Sequence, residues 1–145
     1  MPHSYIASWG NPAYGTVKVQ VRDLPGMARA YDLAAADARI VGTVFEVDVW
    51  DTALPPTGLT GLRFLVGHAR RARVLVHHDG VGRCAVGEIP VAADGGLSYE
   101  RPDGASSAAP ETVTLTPAGA REVVLDLVRT GRPSDDITWS AFSLG

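Results

Sequence analysis

The 145-residue sequence has a single cysteine, Cys84. That excludes an internal disulfide and a cysteine-cluster zinc site. It has no lysine/arginine run, and its formal net charge is −3. A mildly acidic chain of this kind argues against nucleic acid as a direct partner. No basic region followed by an apolar run opens the sequence, so no signal peptide is expected. No window approaches the roughly 20 apolar residues of a membrane helix; no membrane association is expected, and the cytoplasm is the default compartment. Gly80-Val81-Gly82 and Gly95-Gly96 do not open a helix after a strand, as a phosphate-cradling loop must. No internal repeat is present.

What remains is ordinary globular material, 46% hydrophobic and 20% charged, long enough for one domain over residues 1–145 with a real core. The most legible stretch runs from Thr116 to Phe142. Thr116 is an N-cap candidate, and Pro117 sits where a missing N–H costs nothing. Ala120, Val123, Val124, Leu127 and Val128 form one helical stripe. Gly131 suits a left-handed stop and Pro133 forbids continuation. Ile137–Phe142 then reads as a closing strand, with Trp139 and Ile137 facing the core beneath the helix.

Residues 1–15 read as an irregular arm containing Trp9 and Tyr14, either pinned to the body or free. Thr16–Val21 alternates as a half-buried strand. Asp23 and Pro25 open a helix whose stripe is Leu24, Met27, Ala28, Tyr31, Ala35 and Ala38. Thr43–Asp51 is the second strand, stopped by Pro55-Pro56. Leu59–Arg71 fits strand or helix; its length favours helix. Ala72–His78 and Val81–Gly87 form a hairpin through Asp79-Gly80. Leu97–Arg101 is a short strand, and residues 102–110 read as a loop. The expected class is α+β: a mainly antiparallel sheet of about six strands with two or three helices packed on one face.

Candidate site residues are few. His77 and His78 are strand neighbours, which point to opposite faces and cannot simply chelate one metal; no metal and no cofactor are expected. Cys84 reads first as a small buried hydrophobe. Its catalytic alternative takes a base from His77 or His78 across the hairpin. Glu46 and Asp48 share a strand face with Trp50. The plain reading is a solvated face; the functional one is a partner surface, an aromatic anchor beside carboxylates. Asp135 and Asp136 are either a charged loop or part of a contact surface.

Thr130-Gly131-Arg132-Pro133, a short gap, then Ile137-Thr138-Trp139 resembles the C-terminal signature of immunity protein family one of bacterial polymorphic toxin systems. In that family an apolar helix ends in a TG…RP turn, and the closing strand carries a tryptophan. The strand–helix unit at 43–71, the Asp79-Gly80 hairpin, the strand at Tyr99 and Thr116-Pro117 are similar too. The resemblance covers roughly residues 43–142, a domain-sized span, and leaves 1–42 as an N-terminal extension of one strand and one helix. It implies a small intracellular protein that binds and neutralises a cognate protein toxin, commonly a deaminase or nuclease. Such an inhibitor needs a rigid scaffold and a complementary surface, and an acidic surface suits a toxin built to hold nucleic acid. The Glu46/Asp48/Trp50 face or the Asp135/Asp136 loop is the expected contact. Two other readings compete. One is a small-molecule enzyme or ligand-binding protein of secondary metabolism, using His77, His78 and Cys84. The other is a homodimer paired through an edge strand.

Overall fold

Thr116 caps its helix as its position suggests: Oγ1 accepts from the Gly119 N–H at 2.9 Å. Asp23 does the same for the first helix, accepting from Gly26 at 2.6 Å. Each helix stops at a left-handed glycine, Gly42 at φ +80° and Gly131 at φ +74°, whose N–H closes on a carbonyl of the last turn. A side chain at either position is disfavoured by its backbone geometry. The computed structural model describes residues 4–53, 59–91 and 95–143. The Pro55-Pro56 stop lies outside them, as does part of the link before Gly95.

Among the described residues the elements are β1 (Tyr5–Asn11), β2 (Gly15–Val21), α1 (Leu24–Val41), β3 (Phe45–Asp51), β4 (Gly61–Val66), β5 (Val74–His78), β6 (Val81–Val86), β7 (Leu97–Arg101), β8 (Gly104–Ala108), α2 (Pro117–Thr130) and β9 (Thr138–Ala141). A single 3₁₀ turn, Pro110–Thr112, precedes α2. The sheet runs β2-β1-β3-β4-β5-β6-β9, and every neighbouring pair in that row is antiparallel. Hairpin β7–β8 hangs off the row, touching β3 in parallel at Phe45 and Glu100. The class is α+β, with a mostly antiparallel sheet and two helices.

Strand alternation sorts the sheet's side chains between two layers. Tyr5, Ala7, Trp9, Phe45, Val47, Val49, Leu62, Phe64, Val66, Val74, Val76 and Ala85 form the main core with the apolar stripes of both helices. Tyr31 of α1 stacks on Phe64, ring centroids 4.9 Å apart. All five stripe residues of α2 are buried. The other face carries a smaller cluster of Leu65, Tyr99, Ala108 and Val113, under the β7–β8 hairpin.

Three expectations are corrected. Residues 5–11 are not an arm: they form β1, inserted between β2 and β3, with Trp9 wholly buried. Their short apolar-polar alternation is interrupted by Gly10 and followed by the Asn11–Gly15 turn, which hid it. Leu59–Arg71 is not a helix. Its core is strand β4, and residues 67–71 turn away, with the Arg70 and Arg71 N–H groups donating to His68 Nδ1. The strand and the turn together mimicked helical length. Gly67, at φ +108°, lies so close to α1 that a Cβ there would come within 2.6 Å of the Ala38 methyl. Residues 104–108 are not loop but β8. Gly104-Ala105-Ser106-Ser107-Ala108 has weak strand propensity, and its pairing to β7 through backbone bonds supplies what the side chains do not.

Candidate functional site

Helix α2 ends at Thr130, leaving uncovered the far end of the helix-side face of β5, β6 and β9. The result is a cleft of about 660 Å³. Its floor follows from register. Val76 opposes Arg83, and Ala85 opposes Trp139. Because Val76 and Ala85 belong to the main core, parity puts His78, Arg83 and Trp139 on the same face. The end of α2 and the Gly131–Ile137 turn form the opposing wall, bearing Arg129, Arg132, Asp135 and Asp136.

The wall is pinned locally. The indole Nε1–H of Trp139 donates to the Ser134 carbonyl at 3.0 Å, and the Asp136 N–H donates to Ser134 Oγ at 3.1 Å. The Thr130 hydroxyl lies 3.0 Å from the Asp126 carbonyl and 2.9 Å from the Arg132 carbonyl. Thr130, Gly131, Arg132, Pro133 and Trp139 thus form one unit: glycine reverses the chain, proline stiffens it, and tryptophan ties the turn to the sheet.

Charge is uneven around this cleft. Arg129 is paired with Asp126. Asp135, Asp136 and Asp79 are exposed at the mouth, with Asp79 3.5 Å from His78 Nδ1. Arg83 is half-buried; its Nη1 is closed off from solvent and has no acceptor among the described residues. Sequence reading passed over Arg83. The signal was available: an arginine two residues from Ala85, at core-facing parity in a strand.

Glu46 and Asp48 sit elsewhere, on the opposite face and with three strands between β3 and β9. Theirs is not a solvated face. Glu46 is 1% exposed, paired with Arg73 at 2.6 Å and with Arg101. Asp48 takes Arg101 at 2.8 Å and Arg63 at 3.0 Å. Arg73, itself buried, lies over the rings of Tyr99 and Phe142 at 5.0 and 5.8 Å. Burial works against the Arg101 charge, but Asp48 and Glu46 outweigh it and hold the guanidinium above its ordinary pKa. Trp50 is half-buried opposite Ile6. Glu46 and Asp48 are therefore internal counter-ions beneath the β7–β8 hairpin.

His77, His78 and Cys84 do not assemble into a reactive group. His77 shares the hairpin-side face with Cys84 but bonds through Nδ1 to Thr60 Oγ1 at 2.7 Å; His78 faces the cleft. The Cys84 thiol is buried against the Thr112 carbonyl at 3.6 Å, and burial pushes its pKa up to about 11. A neutral, enclosed thiol is a poor nucleophile. Among the described residues no three His, Cys, Asp or Glu side chains converge as metal ligands, and no helix is long and apolar enough to cross a membrane.

No family model matches this sequence, and no curated protein is similar to it. The class of the protein therefore rests on its own fold and cleft: an α+β scaffold with a charged, loop-walled cleft at one end of its sheet.

Proposed function

We propose that this chain is an immunity-type binding protein that neutralises a cognate toxin, a deaminase or nuclease, by direct binding. The observation that carries the reading is the union of the TGRP turn with Trp139 in one rigid unit, which holds Asp135 and Asp136 exposed at the cleft mouth. A stiff loop on a well-packed sheet binds with little ordering cost. Acidic groups at its edge offer charge complementary to a surface built for nucleic acid. The resemblance to immunity protein family one supports the same reading. The contact belongs at the Asp135/Asp136 end, since Glu46 and Asp48 are already neutralised inside the fold.

The test is inhibition of a candidate toxin, a deaminase or nuclease taken from the genes adjoining the one for this chain. Stoichiometric addition should abolish its activity, and Asp135→Asn with Asp136→Asn should weaken inhibition roughly tenfold while leaving thermal stability unchanged. Full toxin activity in the presence of excess protein would refute the reading. A second reading, a small-molecule site of secondary metabolism, has one supporting observation, that the cleft volume falls within the span of ligand sites. Retained toxin activity together with saturable binding of a metabolite would favour it.

A further inference from the structure

The cleft's charge is layered, and the layering specifies what fits it. At depth stands Arg83, without a counter-ion among the described residues and with one nitrogen already cut off from water. A half-buried guanidinium with no counter-ion is an unfavourable arrangement that an incoming anion relieves, meeting the nitrogens that still face the cleft rather than the enclosed Nη1. Arg132, exposed on the wall, makes no ion pair among the described residues. At the mouth the sign reverses, to Asp135, Asp136 and Asp79. A nucleic acid strand or a polyphosphate would bring several negative charges past those carboxylates and be repelled. A lone carboxylate with positive charge on either side meets attraction at both depths.

We propose that the cleft receives a single acidic side chain flanked by basic residues, from a protein partner, and that Arg83 pairs with its carboxylate. The guanidinium fork suits this, since it can offer a carboxylate two parallel donors. Trp139, its ring edge fixed by Ser134, forms the adjoining floor against which the stem of a flanking lysine or arginine can lie. The inference rests on the immunity-type reading only for the partner being a protein; the charge pattern stands without it.

The experiment uses the intact, ¹⁵N-labelled chain and the peptide acetyl-Lys-Lys-Asp-Lys-Lys-amide, read at the Trp139 indole N–H resonance. A saturable shift is expected, with roughly tenfold weaker binding when asparagine replaces the aspartate in the peptide. Arg83→Gln should produce the same loss, with its backbone amide spectrum otherwise unchanged. Because Arg83 is half-buried, Asp135→Asn with Asp136→Asn provides a second arm at exposed positions. There the lysine-flanked peptide should bind no better than a glutamine-flanked one. Equal binding of the aspartate and asparagine peptides, or an undiminished shift in Arg83→Gln, overturns the proposal. So does inorganic phosphate giving the Trp139 shift while neither peptide does, since that marks a free-oxyanion site. If the peptides fail while the toxin is still inhibited, the cleft chemistry is wrong and the immunity reading survives. If the peptides bind as expected and the toxin is not inhibited, the reverse holds.

Discussion

Glu46 illustrates how little a residue's neighbours in sequence say about its surroundings. It alternates with Phe45 and Val47 as a solvent-facing residue would, yet it is sealed beneath a hairpin by arginines 27 and 55 positions away. No local pattern announces partners so distant. Removing one member of a buried ion pair strands the other without compensation, which costs about 3–5 kcal/mol. Glu46→Ala should therefore lower the urea midpoint sharply by leaving Arg73 buried and unpaired. Asp48→Ala, at a partly exposed carboxylate, should cost distinctly less. Glycines divide in the same way. Gly67→Ala combines positive φ with a clash against Ala38 and the Thr43 carbonyl, whereas Gly80→Ala meets open space and bears only the cost of its φ of +74°. Equilibrium unfolding should show Gly67→Ala as the more damaging by more than about 1 kcal/mol.

Among the elements, both helices were legible because their information is local. Cap, first-turn proline, apolar stripe and stop glycine of α2 all lie within one segment, and each is found where the sequence places it. In α1 the cap and proline hold, but the buried stripe is Met27, Ala30, Tyr31, Ala34 and Ala38. Ala30 and Ala34 are thus buried where Leu24, Ala28 and Ala35 were expected, the latter three being only half-buried. Strands were legible where β-branched residues alternate, as in β2, β3, β5 and β6. They were obscured where pairing came from the partner strand. β1 draws its place from flanking β2 and β3, β4 runs into a turn that counterfeits a helix, and β8 is alanine and serine held by β7. The cleft was half-legible. Its TGRP turn, Asp135, Asp136 and Trp139 stand in one short segment. His78 and Arg83 reach it only through hairpin register, and that register also sends Cys84 and His77 to the other face. Thr116→Ala, which removes the N-terminal cap of α2, should cost about 1 kcal/mol, measurable as faster amide exchange over the first turn of α2 with the cleft end of the helix unchanged.

For the whole molecule, a core of this kind implies a definite response to alkali. Burial pushes the Cys84 thiol up to about 11, and burial again, the first cause for each, raises Tyr31 and Tyr5 to about 12. For Tyr5 the Asp51 charge adds to the rise, and for Tyr31 the charge of Arg121 works against it. In the unfolded chain these groups ionise at ordinary values, near 9 for the thiol and 10 for the phenols. Above those values the unfolded state loses protons that the folded state keeps. Stability is thus intact below about pH 9 and falls as pH rises through 11 to 12, by on the order of 2 kcal/mol per group. Cys84→Ala should remove the earliest part of that fall, seen as a flatter dependence of the unfolding midpoint between pH 9 and 10.

The central claim is that this fold holds one charged cleft end rigid for a protein partner. Hydrogen–deuterium exchange on the chain with and without a candidate protein partner, the proposed deaminase or nuclease toxin, measures it directly. The account predicts new protection confined to residues 129–139 and to the hairpin from His78 to Arg83. Protection centred on α1 or on the β7–β8 hairpin, with the cleft unchanged, would contradict it.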